Sequence, residues 1–175
     1  MNKLIPILTL ISISFLSHAY NLKIKDWDSL RKNNDIIRQT TDFSCGPAAL
    51  SLLLKMEKNI KIKEIDIITD IIFRSKKGTA HEKIKNGFSL LDLKESAERI
   101  GVMMKGIRYD DIEKENIKTP AIILIEGANY SHFVVLEYID KYKSTILDPE
   151  TGISHPPVYK LKSIWKGYSL IIGDI

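Results

Sequence analysis

The chain has one cysteine, Cys45, among its 175 residues, so no disulfide can form within it. It also lacks the closely spaced Cys or His pair of a zinc site, and it has no glycine-rich loop of the kind that cradles phosphate. Neither a metal nor a cofactor is therefore expected. Internal repeats and low-complexity tracts are missing as well. Beyond residue 19 no stretch is apolar enough to span a bilayer, which takes about 20 such residues. Lysines alternate with Asp and Glu instead of clustering, so the surface reads as solvated mixed charge, and a nucleic-acid partner is not expected.

What is present begins with export. Lys3 is followed by an uncharged apolar run from Leu4 to Leu16 that ends at Ser17-His18-Ala19, a small-x-small cleavage site. The reading is a signal peptide over residues 1–19, a single domain over 20–175, and a periplasmic or secreted destination. Lys3 is the only formal charge removed, which takes the net charge from +4 to +3. A lone cysteine is notable in that setting, because oxidising compartments favour paired ones.

The pattern along the chain is helices first and strands second. After a mixed lead-in from Asn21 to Ile37, Gly46 to Met56 reads as a buried helix. Pro47 suits its first turn, and the segment is apolar nearly all round. Ile62 to Phe73 carries Ile65, Ile68 and Ile72 at helical spacing, and Ser75 to Gly87 reads as a polar loop able to rim a groove. Ser89 and Asp92 form a capping box for a third helix that closes at Gly101. After Pro120, strands are expected at Ala121–Ile125, His132–Tyr138, Thr145–Leu147 and Tyr168–Ile172. The fold class is α+β, with N-terminal helices packed on a C-terminal antiparallel sheet.

Chemistry centres on Cys45. A thiol attacks as its thiolate, and the residue entering a helix sits at the positive end of the helix dipole. Gly46 leaves the backbone open, so a substrate carbonyl can reach the sulfur while the Cys45 N–H points at the oxygen that turns negative. Gln39, six residues earlier, carries an amide suited to be the second donor. Of the four histidines, His18 leaves with the signal, His81 sits in a lysine-rich loop and His155 precedes two prolines. His132 opens the most apolar strand, Phe133-Val134-Val135-Leu136, where an imidazole can be held rigidly. If that strand and Ser144–Asp148 form a hairpin turning near Asp140, residues whose numbers sum to 280 face each other, which pairs His132 with Asp148. Directly opposed Cβ atoms stand about 4.5 to 5.5 Å apart. Asp148, which also begins Asp-Pro-Glu-Thr-Gly turn chemistry, then fixes the imidazole tautomer.

Taken together, Gln39, Cys45-Gly46-Pro47-Ala48-Ala49-Leu50, Ser131-His132-Phe133-Val134-Val135-Leu136 and Leu147-Asp148-Pro149 resemble the peptidase C39 family of bacteriocin-processing, double-glycine leader peptidases. The resemblance covers about residues 36 to 172. It implies a papain-like fold and cleavage of a peptide or leader after Gly-Gly. It also implies Cys45 as nucleophile, His132 as base, Asp148 orienting the ring and Gln39 stabilising the oxyanion. The best-known members are cytoplasmic domains of exporters, whereas a signal peptide precedes this one, so the substrate is expected to be met after translocation, with a secretion or pilus system as possible partner. Two other readings keep the same residues: a papain-like cell-wall amidase or acyltransferase, and a C39-like module that docks peptide without cutting it.

Overall fold

The structure is a computed structural model that describes residues 37–41, 43–76, 78–127 and 131–173. The expected signal peptide over 1–19 and most of the lead-in from Asn21 lie outside the described residues, as do residues 128–130. Among the described residues five helices and six strands follow in chain order: α1 (Cys45–Lys58), α2 (Glu64–Arg74), α3 (Thr79–Asn86), α4 (Leu90–Arg99), β1 (Met104–Arg108), β2 (Ala121–Glu126), β3 (Ser131–Ile139), β4 (Ser144–Asp148), β5 (Gly152–Ser154), α5 (Val158–Ile164) and β6 (Trp165–Ile172).

Helix α1 is buried for its first ten residues, Cys45 to Leu54, as an all-round apolar segment must be. Lys55 and Lys58 in its last turn complement the dipole, and Asn59 terminates it in the left-handed region. In α2 the buried face is Ile67, Ile68 and Ile71, while Ile65 and Phe73 are exposed. The capping box of α4 is present: Ser89 Oγ accepts the Asp92 N–H at 3.1 Å, and Asp92 accepts the Ser89 N–H at 2.9 Å. The segment from Ser75 to Gly87, expected to be a loop, contains α3. None of its helical residues is buried, so no apolar stripe betrayed it.

All six strands form one antiparallel sheet in the order β1-β6-β2-β3-β4-β5. One face packs on the N-terminal helices, with Leu50, Leu53, Ile67 and Leu93 meeting Ile122, Phe133, Val135 and Leu147. The other face is also covered, by α5 and the 109–117 segment, where Leu161, Val158 and Tyr109 meet Ile123, Val134, Leu136 and Ile146. Because both faces are dry, Phe133 to Leu136 is an unbroken apolar run in place of an alternating one.

Candidate active site

The end of the sheet where β3 begins and β4 ends receives the N-terminus of α1. Cys45 is the first residue of that helix, whose first turn contains no acidic side chain to offset its positive end. Ser44 does not cap α1 with its side chain. Its hydroxyl accepts the Thr41 N–H at 3.1 Å and donates to the Thr41 carbonyl at 2.8 Å, tying down the approach to the helix. A Cβ at Gly46 would stand 3.1 Å from the Phe133 ring and 3.3 Å from Leu93, so the missing side chain lets α1 close onto β3 beside His132. Cys45 is buried at 9% exposure.

His132 is buried at 5% exposure, and its Nε2–H donates to Asp148 Oδ1 at 2.7 Å. The ring also hydrogen-bonds Cys45, which leaves Nδ1 for the sulfur. Asp148 is held in turn. Its Oδ1 accepts the Glu150 N–H at 2.7 Å, and its Oδ2 accepts the Thr151 hydroxyl at 2.7 Å. The carboxylate thus both shapes the turn and orients the ring.

The register behind this contact differs from the expected one. The hairpin pairs Val135 with Leu147 and Leu136 with Ile146, a sum of 282, and it shifts between Leu136 and Tyr138 to pair Tyr138 with Thr145. Continued by one residue, that register sets Asp148 opposite Val134, so His132 is its diagonal neighbour. Both side chains are long enough to bridge a diagonal of about 7 to 8 Å.

Burial alone would push the His132 imidazole down, but the hydrogen bonds to Asp148 and Cys45 outweigh it and raise its pKa from 6.5 to about 10. Burial likewise opposes ionisation of Asp148, yet the His132, Thr151 and Glu150 donors bring it from 3.8 down to about 2. The raised imidazole contributes stability that is complete below its ordinary value and is lost as pH rises through about 10. The depressed carboxylate contributes stability present above its ordinary value and lost as pH falls through about 2. Both contributions are therefore complete between 3.8 and 6.5. Urea midpoints should hold across that window and decline on its alkaline side. His132→Ala should abolish that alkaline decline, and a decline that survives the substitution would remove His132 as its source.

Gln39 belongs to the segment before α1. Its N–H donates to the Pro149 carbonyl at 3.1 Å, so it sits beside the turn that Asp148 begins. Its side-chain oxygen is enclosed and has no hydrogen-bond partner among the described residues. A half-turn of the amide puts N–H donors in that position. An enclosed amide oxygen without a partner marks a side chain with hydrogen-bonding capacity to spare.

His81 falls in α3 and is exposed, and His155 bonds Thr145 at 3.2 Å, so neither joins the cluster. Thr151 was not singled out from sequence, although its place three residues after Asp148 is the signal of a side-chain-stabilised turn. No group of three metal-ligating side chains occurs among the described residues. No described helix is long and apolar enough to cross a membrane.

Beside Cys45 opens a cleft of about 680 Å³, walled by Phe43, Phe88, Leu90, Leu124 and Phe133. Ile84 to Gly87 contribute to its rim, so part of the Ser75–Gly87 stretch does border a groove. A thiol at a helix N-terminus, hydrogen-bonded to an imidazole that a carboxylate orients, can form a thiolate–imidazolium pair next to space for a chain.

The sequence pattern of the peptidase C39 family matches residues 33–174. The probable functional amyloid protease FapD of Pseudomonas aeruginosa is 32% identical over 153 residues, which are 86% of this chain and 65% of that protein. FapD of Pseudomonas fluorescens is 31% identical over 130 residues, 73% of this chain and 56% of that protein. The chain thus spans less than two thirds of the length of these curated relatives. Among solved structures, a double glycine motif protease from an AMS/PCAT transporter, in complex with the leader peptide, is 26% identical. It superposes with a TM-score of 0.62 over 78% of this chain and 88% of that one. The peptidase domain of Streptococcus ComA has a TM-score of 0.64 over 79% of this chain and 97% of that one; at 18% identity this is a likeness of fold. The α+β architecture is thus the papain-like one of C39 peptidase domains. With the family pattern running from before Gln39 to the end of β6, the chain belongs to the peptidase C39 family.

Proposed function

We propose that this chain is a cysteine peptidase that cuts a peptide or leader on the C-terminal side of a Gly-Gly pair, outside the cytoplasm. The observation that carries this reading is the buried line from Cys45 through His132 to Asp148, whose 2.7 Å bond orients the imidazole beside the sulfur. The Cys45 thiolate attacks the scissile carbonyl, and the oxyanion is held by the Cys45 N–H and the Gln39 amide. His132 gives its proton to the leaving amine, and a thioester remains on Cys45. His132 then takes a proton from water, which attacks the thioester and releases the carboxylic acid, regenerating the thiolate and imidazolium.

The cleft beside Cys45 supports a peptide substrate, as do the solved double glycine protease bound to a leader peptide and the relatives named as amyloid proteases. The signal-like residues 1–19 support an exported enzyme, and the relatives named as functional amyloid proteases support a partner in a secretion or pilus system. Peptides carrying Gly-Gly, Gly-Ala or Ala-Gly before the scissile bond test the specificity. Each added methyl should lower kcat/KM by roughly 10- to 200-fold. Equal cleavage of all three would remove the Gly-Gly requirement while leaving the thiol chemistry in place.

A further inference from the structure

Glu64 opens α2 and is 5% exposed, a carboxylate taken almost wholly out of water. Among the described residues it makes no ion pair. Both of its oxygens turn to one backbone group, the Thr40 N–H, at 3.0 and 3.1 Å. Burying a carboxylate is costly unless it is hydrogen-bonded, and a charged acceptor makes a backbone bond stronger than a neutral one does. The residue immediately before Thr40 is Gln39, whose own N–H is held by the Pro149 carbonyl at 3.1 Å. The short segment entering the site is thus fastened through the two peptide units that flank the Gln39 Cα, to the Asp148–Thr151 turn and to the first residue of α2.

We infer that Glu64 is a positioning residue for the Gln39 amide, fixing the backbone from which the oxyanion donor is presented to Cys45. This rests on the peptidase reading and on the role given there to Gln39. A donor aimed at a developing oxyanion acts only if it is in place beforehand, so slack in its backbone is felt in turnover more than in substrate binding. Residue 64 touches neither the sulfur nor the imidazole, and its influence passes through Thr40 to its neighbour.

The test combines a kinetic cycle with a measurement that needs no substrate. Glu64→Gln keeps the shape but gives up the charge and one acceptor. Glu64→Ala removes both, and a urea midpoint establishes that each variant is folded. Glu64→Ala is expected to lower kcat for a Gly-Gly peptide by about 10- to 100-fold with KM little changed, and Glu64→Gln by less, within the range set by loss of an oxyanion donor. In a Gln39→Ala background the same change should cost under about threefold, because the group it positions is gone. An equal loss in both backgrounds, or a rise in KM with kcat intact, would overturn the inference. Amide exchange at Thr40 is read in parallel and should accelerate in Glu64→Gln; unchanged protection there would overturn it whatever the kinetics. Should the wild-type protein cleave no peptide, the peptidase reading and the role of Glu64 in it fall together, while faster exchange would still show that Glu64 fastens the segment.

Discussion

Cys45→Ala is expected to lower kcat/KM for a Gly-Gly peptide by on the order of 10⁴-fold or more, leaving the fold intact. The substitution takes one sulfur from the wall of a cleft and leaves the other members of the core cluster, Leu93 and Phe133 among them, in place. His132→Ala should be nearly as damaging. The double variant should be scarcely worse than either single one, since nucleophile and base act as a unit. Asp148→Asn should cost less than loss of the nucleophile, on the order of 10⁴-fold, because the ring keeps its place while its charged orienting partner is lost. The alkaline limb of the pH–rate profile, expected near 10 in the wild type, should then move to lower pH. Measured kcat/KM together with a melting curve decides the matter. If Cys45→Ala cuts as well as the wild type, Cys45 is not the nucleophile. If neither protein cuts but both bind peptide alike, the chain is a docking module.

The largest expected loss of stability lies away from the site, at Gly167. This residue sits where β6 bulges against β2, between the pairs Ile123 with Ser169 and Ile125 with Trp165, and its φ is +82°. A Cβ there would be 2.0 Å from the Tyr109 carbonyl oxygen, backbone that cannot swing aside as a side chain would. Retreat would break the Tyr109 N–H to Gly167 carbonyl bond of 3.0 Å and pull Tyr109 from Trp165, whose ring it meets edge-on at 6.1 Å. Gly167→Ala should therefore destabilise by about 3 kcal/mol or more. Gly78→Ala provides the comparison, for its φ is +96° but nothing lies within 4 Å of the added atom. Only the backbone conformation then opposes the methyl, a cost of about 1 kcal/mol. Urea unfolding of both variants separates collision from conformational strain, and equal losses would show that the Tyr109 contact yields easily.

Elements were legible in the sequence wherever burial was strong and local. Helix α1 announced itself by Pro47 and continuous apolarity, α4 by Ser89 and Asp92, and β3 by four consecutive apolar residues. Strand β1 was not seen, because on an edge it buries only Met104 among Lys, Gly and Arg. Three-residue β5 and seven-residue α5, which follows two prolines, are too short to show a period. The hairpin register missed because the turn is centred beyond Asp140, pairing Ile139 with Ser144, and the irregularity between Leu136 and Tyr138 takes back only one residue of the offset. The proximity of His132 and Asp148 was reachable because a diagonal and a direct pair both place strand-end residues together. Glu64 gave no signal at all. In Lys63-Glu64-Ile65-Asp66 it reads as ordinary surface charge, and only the returning segment at Thr40 explains why it is buried.

The strand order carries a consequence for how the molecule comes into being. β6 is the last of the described strands to leave the ribosome, yet it stands between β1 and β2, so β1 has no neighbour in the sheet until residues 165–172 arrive. A nascent chain halted before Trp165 would miss an interior plank and not a border, exposing Ile122 and Ile123 along a raw seam. Such a polypeptide can complete its sheet only once residues 165–172 are in place.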